Sequence, residues 1–314
     1  MDPQKIKRIY GGRLRFTGYV PGLEEHLAAL YETMYPGHRF SADRFHWRWE
    51  QNPCLPMQMV NIWDGELLVA HETTNAARYF RNEKKEMWGL SGTTVALDNY
   101  PGMKVLLTDE RRRLCPQIEY CIGFPNENMY HIAKHLNDNQ DVGGIPYFYI
   151  LPKAYAPDPD IREISRFSED YAGLDESLKG EFSFFQEHSP AYLQWRFIQK
   201  PNSGYRTFEL KQNGRLQGYT VLNVYSSGEE RHGQIIDILA VSDEAFQRLV
   251  RFAMGSFYEE GCDICKLWMT GRRQQDELTK MGFQKTEPKF HLISTLQGLK
   301  LEESYITMAT SDVF

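Results

Sequence analysis

Asp237 lies in the run Ile235-Ile-Asp-Ile-Leu239, where all of its neighbours are apolar. The run is β-prone, and strand alternation puts Asp237 on one face with Ile235 and Leu239. A carboxylate in that setting must be paired, protonated or turned toward a cavity, so Asp237 reads as a buried hydrogen-bonded group or as one that faces a ligand. Glu86 and Glu119, at the ends of β-prone runs nearer the N-terminus, are the analogous carboxylates. Cys262-Asp-Ile-Cys265 has CxxC spacing, but it opens a predicted strand and has no second pair. Cys115 and Cys121 are wrongly spaced to complete a zinc site, so the cysteines read as buried thiols and no metal is expected. His131 and His135 share a helix face without a third ligand in view. Tyr147-Phe-Tyr-Ile-Leu151 reads as a strand whose aromatics could also line a pocket.

The elements that must position these groups come in two sets. Ser41, Trp47, Arg48, Gln51 and Pro53 recur as Ser189, Trp195, Arg196, Gln199 and Pro201, each pair 148 residues apart. In both segments a serine suits the N-cap and a proline stops the helix. Shared Trp-Arg pairs point to a structural task, docking a helix on a sheet with Arg capping carbonyls. Shortly afterwards each set carries a hairpin signal, Asp64-Gly65 or Asn213-Gly214. The flanking β runs are Met59–Trp63 with Leu67–Val69, and Tyr205–Phe208 with Tyr219–Leu222.

Next comes a strand, Thr93–Leu97 or Ile235–Leu239, and an amphipathic helix with Met103, Leu106, Leu107 and Leu114 or Phe246, Leu249, Val250, Ala253 and Phe257 inward. Another strand follows, Ile118–Ile122 or Ile264–Trp268, then a helix closing at Ala133–Asn137 or Thr279–Phe283. A further helix spans Leu23–Met34 and stops at Pro36-Gly37. The expected architecture is α/β (α+β): two tandem modules, 1–155 and 156–314, each a mixed, mostly antiparallel twisted sheet flanked by helices.

The 314 residues carry a formal net charge of −6, with basic residues scattered, so nucleic acid is not an expected partner. No apolar run approaches the ~20 residues of a membrane span, and no secretory signal is visible. Five cysteines form no disulfide framework, which suggests a reducing cytoplasm. Oligomeric state is not readable.

The order of elements resembles that of the GNAT acyltransferase fold, and the doubled chain resembles tandem-GNAT proteins, a branch associated with bacterial polysaccharide and nucleotide-sugar modification. The pieces that carry the resemblance are Gly123-Phe-Pro-Asn126, Tyr192-Leu-Gln-Trp-Arg196, and Tyr305-Ile-Thr-Met308 with Ser311-Asp312. The resemblance implies a CoA-dependent N-acyltransferase, with acetyl the expected group, that uses acetyl-CoA or another acyl-CoA on a small amine such as an amino sugar or nucleotide sugar. It places the CoA pyrophosphate at a helix N-terminus. The donor residues it implies are Val95, Ala96, Leu97, Gly102, Met103, Lys104 and Asn126.

The family writes Arg/Gln-x-x-Gly-x-Gly/Ala in the loop; Gly102 fits one glycine and Lys104 stands where the second small residue belongs. The equivalent loop of the second set, Ala240-Val-Ser-Asp-Glu244, has no glycine and two carboxylates, which leaves the first set as the donor side. Glu86, Glu119 and Asp237 are the implied base candidates, and Tyr130 the implied acid. A catalytically inactive GNAT-like binding or regulatory protein is an alternative. So is a Fem-type aminoacyltransferase, against which the acidic balance speaks.

Overall fold

In the computed structural model, residues 2–37, 40–136 and 139–311 are described, apart from the side chains of 128, 132 and 134–136. Asn137, Asp312 and the side chain of His135 lie outside the described residues. The chain divides into two units. One holds Met1–Arg78, Met87–Asp141 and Ile293–Gly298; the other holds Tyr79–Glu86, Val142–Leu292 and Leu299–Phe314.

In chain order the elements begin α1 (Pro3–Ile9), β1 (Leu14–Thr17), α2 (Leu23–Met34), α3 (Ala42–Phe45), β2 (Met59–Asp64), β3 (Leu67–Arg81) and β4 (Lys84–Ala96). They continue α4 (Met103–Leu114), β5 (Tyr120–Gly123), α5 (Glu127–Leu136), β6 (Gln140–Gly144), β7 (Tyr147–Ile150), β8 (Ile161–Ile164) and β9 (Phe184–Gln186). Then come α6 (Pro190–Leu193), β10 (Arg206–Gln212), β11 (Arg215–Ser227), β12 (Glu230–Ala240), α7 (Asp243–Glu259) and β13 (Ile264–Trp268). The last are α8 (Arg272–Lys280), β14 (Gln284–Thr286), β15 (His291–Ser294) and β16 (Ser304–Tyr305). Among the described residues no helix is long and apolar enough to cross a membrane.

In the first unit the strands run β1-β2-β3-β4-β5-β15. β1–β2, β2–β3 and β5–β15 pair antiparallel, and β4–β5 pair parallel. One face buries Val60 and Ile62 against Ile6 of α1 and Leu106 and Leu107 of α4. The other buries Met59 and Trp63 against Leu23, Leu27 and Leu30 of α2 and Phe45 of α3. Each such side chain contributes about 1.5–3 kcal/mol by leaving water, so the apolar periodicity of α2 and α4 fixes which face each helix covers.

In the second unit the order is β14-β7-β13-β12-β11-β10-β8. Only β12–β13 is parallel among these pairings. α7 buries Phe246, Leu249, Val250 and Phe257. A Cβ at Gly233 would lie 2.4 Å from the Phe257 ring, so the strand needs glycine there.

Each unit takes a strand that follows the other's elements in the chain. β7 comes after β6, yet it pairs with β13 and β14 in the second unit. Ile293 and Ser294 of β15 come after β14, yet they pair with Gly123 and Ile122 of β5 in the first. Residues Val142 to Tyr155, assigned to the N-terminal module by sequence, therefore fold with the second unit.

The two Trp-Arg segments share an unusual local form. α3 runs into a π-turn over His46–Glu50, closed by the Gln51 N–H donating to the His46 carbonyl at 2.9 Å. α6 runs into a π-turn over Gln194–Ile198, closed by the Gln199 N–H and the Gln194 carbonyl at 3.0 Å. Sequence reasoning predicted plain α-helix; the wider turn lets alternate residues, Phe45, Trp47 and Trp49, all point inward.

Candidate functional site

In the first unit β4 and β5 form a fork. Their parallel ladder pairs Trp88, Gly89 and Leu90 with Tyr120, Cys121 and Ile122, and β4 then continues to Ala96 without β5 beside it. The residues past the branch, Ser91 to Thr94, are half-exposed. The loop after β4 ends at Gly102, whose φ of 87° makes it a left-handed N-cap that supplies no side-chain hydrogen bond to α4. The first-turn N–H groups of this 12-residue helix are thus left without a side-chain cap, the arrangement that binds anions. Lys104 Nζ lies 3.4 Å from Met129 Sδ of α5, and α5 itself is capped by Asn126, whose Oδ1 accepts from the Met129 N–H at 3.0 Å.

The loop is braced from α1. Tyr10 donates to the Pro101 carbonyl at 2.9 Å and stacks on Tyr100 with ring centres 5.9 Å apart. Ile6 packs so closely that a Cβ on Gly102 would come within 2.9 Å of it.

The second unit has the same fork, closed. The β12–β13 ladder ends at Ile235 and Leu267, and β12 runs on to Ala240. Here, however, Gln234 to Ala240 are all buried. The covering segment is Ser304–Ser311. Tyr305 donates its hydroxyl to the Ile238 carbonyl, and Thr307 Oγ1 donates to Asp237 Oδ1 at 2.8 Å. Arg196 of the Trp-Arg pair donates to the carbonyls of Ala309 and Ser311 at 3.3 and 3.2 Å. α7 is capped by its own Ser242, which accepts from the Ala245 N–H, and carries Asp243 and Glu244 in its first turn.

The residues singled out from sequence scatter. Asp237 is buried, with Oδ2 accepting from Tyr219 at 2.6 Å and Oδ1 from Thr307. Glu86 is held by Arg81 in a two-bond pair at 2.8 and 2.5 Å, and it belongs to the second unit. Glu119 is exposed just before β5. Tyr130 donates to Asp141, and that bond pushes its hydroxyl up to about 12. Val95 and Met103 are sunk in the two cores, and Ala96 and Leu97 pack at their edges. Gly102, Lys104 and Asn126 gather at the open fork. Among the described residues no group of three or more His, Cys, Asp or Glu is placed to hold a metal ion.

One group was missed. β3 is polar along its buried middle, His71-Glu-Thr-Thr-Asn75. Glu72 faces α4, with the Arg111 guanidinium 3.7 Å away; burial holds its carboxyl above the usual carboxylate range despite that partner. His71 and Thr73 face the other way, opposite Asn61 and Met59 of β2. Burial drops the His71 imidazole to about 3, so it is neutral. The available signal was a run of five polar residues directly after the apolar start of a strand.

No protein-family model matches the sequence, and no curated protein matches it. Solved structures do resemble the fold. Saccharomyces cerevisiae N-myristoyltransferase with bound myristoyl-CoA superposes with a TM-score of 0.63 at 10% identity, over 90% of this chain and 82% of that one. A conserved protein from Enterococcus faecalis V583, described as a probable N-acyltransferase, gives 0.64 at 12% identity, over 90% and 72%. A GCN5-related N-acetyltransferase from Kribbella flavida gives 0.63 at 14% identity, over 90% and 70%. The chain therefore has a GNAT-type fold: mixed sheets flanked by helices, as in these acyltransferases.

Proposed function

We propose that this protein is a CoA-dependent N-acyltransferase whose donor occupies the fork of the first unit. The observation that carries this reading is the asymmetry of the two forks. Ser91–Thr94 are half-exposed beside an α4 with no side-chain cap, whereas Gln234–Ala240 are buried under the chain's own Ser304–Ser311 and α7 is already capped. The neighbours named as acyltransferases, one of them holding myristoyl-CoA, support an acyl-CoA as donor. Acetyl-CoA is the first donor to test.

In this reading the pyrophosphate lies on the N–H groups of Met103 and Lys104, with the Lys104 ammonium adding charge. Backbone N–H groups of β4 on the edge that β5 leaves after Leu90 polarise the thioester carbonyl. The amine nitrogen attacks that carbon, the C–S bond breaks, and the nitrogen's proton passes to a carboxylate or to water held by one. Tyr130 is a poor acid while Asp141 holds its proton. Asp237 belongs to the closed fork and acts as a scaffold. The two units are then copies of one ancestral module, the first holding the donor, and the protein works in the cytoplasm on a small amine such as an amino sugar.

The test is the melting temperature with and without acetyl-CoA. A ligand at ~100 times its dissociation constant adds about 2.7 kcal/mol. Lys104→Glu should remove most of the shift without changing the melting temperature of the free protein.

A further inference from the structure

Three side chains alternate along the buried face of β3 that looks toward α2 and α3, and each has a polar atom without a partner: His71 Nε2, Thr73 Oγ1 and Asn75 Oδ1. All three residues are at least nine-tenths buried. Trp49 Nε1, in the apolar cluster of the same face, is also unpartnered. Buried polar atoms are nearly always bonded in native proteins, so a row of them marks a place where something else binds. Successive same-face residues on a strand stand about 7 Å apart, which makes the row about 14 Å long.

The chemistry of the row follows from its bonds. Asn61 donates its Nδ2 to the Gly18 carbonyl at 2.7 Å, so its Oδ1 is the atom turned to His71 Nδ1, also at 2.7 Å. His71 Nδ1 must therefore carry the proton, and Nε2 presents a lone pair. Asn75 likewise presents an oxygen, and Thr73 a hydroxyl. Gly92 lets the β4 backbone lie close against Thr73, since a Cβ there would come 2.6 Å from Thr73 Oγ1. The row thus offers three acceptors, with donors from the Thr73 hydroxyl and Trp49 Nε1. A carboxylate or phosphate would meet the lone pairs of His71 Nε2 and Asn75 Oδ1 at the row's two ends.

We infer that this face of β3 is the recognition row for the amine substrate, taking a small molecule rich in N–H and O–H donors, an amine with neighbouring hydroxyls, and rejecting anionic ones. Its role as substrate site rests on the acyltransferase reading; its ligand preference does not. Asn61 acts as the positioning residue that fixes the His71 tautomer.

The full chain, labelled with ¹⁵N at histidine, would be titrated with ethanolamine and glucosamine, and with glycolate as the anionic counterpart, while the His71 Nε2 resonance is followed. The amines should move it upfield, as donation to the lone pair requires, and glycolate should not. Thr73→Val, which keeps the shape and removes one hydrogen bond, should weaken the amine about tenfold at an unchanged melting temperature. No response to either amine, or an equal response to glycolate, would overturn the inference. A His71 response without any acetyl-CoA stabilisation would instead overturn the donor reading and leave the row standing.

Discussion

Thr307 donates its hydroxyl to Asp237 Oδ1 at 2.8 Å, joining the C-terminal segment to the middle of β12. Tyr219 supplies the other oxygen of the same carboxylate with a bond at 2.6 Å. One buried carboxylate therefore fastens the segment that fills the second unit's fork. Asp237→Ala leaves two buried hydroxyls without an acceptor, and the variant should lose about 2–4 kcal/mol of stability in denaturant titrations. Its affinity for acetyl-CoA should match wild type, because the donor fork lies in the other unit. A catalytic Asp237 would show the reverse, a stable protein with little turnover.

His71 makes a pH prediction. Its imidazole falls to about 3 in the folded protein, with burial as the cause, against ~6.5 in an unfolded chain. The unfolded state therefore takes up a proton as pH drops below ~6.5 and the folded state does not until about pH 3. The stability this group confers is fully present above pH ~6.5 and is lost on acidification, by about 1.4 kcal/mol per pH unit. Wild type compared with His71→Gln should show that extra slope between pH 6 and 4. Parallel curves would mean that His71 is protonated in the fold.

Gly102 and Lys104 separate structure from binding. Gly102 has φ +87° and Ile6 within 2.9 Å of where a Cβ would lie, so Gly102→Ala combines backbone strain with overlap. It should cost about 2 kcal/mol, and a glutamate more, which makes either a poor probe of ligand binding. Lys104 is a partly buried helix side chain near Met129, and Lys104→Glu should leave the melting temperature within about a degree while weakening CoA at least several-fold.

Arg196 tests the meaning of the repeated Trp-Arg pair. Its guanidinium reaches two carbonyls of the covering segment. Arg196→Lys cannot span both and should lower stability by about 1–2 kcal/mol, measured by urea unfolding. An unchanged midpoint would remove the arginine from the account of the closed fork.

Much of this was legible in the chain. The apolar periods of Leu23–Met34 and of the helix from Met103 to Leu114 mark α2 and α4, and the run Ile264–Trp268 marks β13. The contrast between the Gly102 loop and the Ser242-Asp-Glu loop also reads directly, because capping is a local matter of side chains. β3 was seen only as Leu67–Val69, since His71–Asn75 breaks the apolar pattern while lying in the interior. Burial of those residues is decided by the helices packed over them. The pairing of β7 with β13 and of β15 with β5 was also hidden, because a strand's sequence states its faces and not its partner. The π-turns are not legible because a serine cap and a stopping proline suit either helix form, and the widened turn shows only once the alternate residues Phe45, Trp47 and Trp49 are seen buried.

The most direct measurement is calorimetric titration of acetyl-CoA into the wild-type protein, Lys104→Glu and Asp237→Asn. One site per chain, weakened by Lys104→Glu and unaffected by Asp237→Asn, is the predicted result. Two sites, or a single site lost with Asp237→Asn and kept with Lys104→Glu, would contradict the assignment of the donor to the open fork.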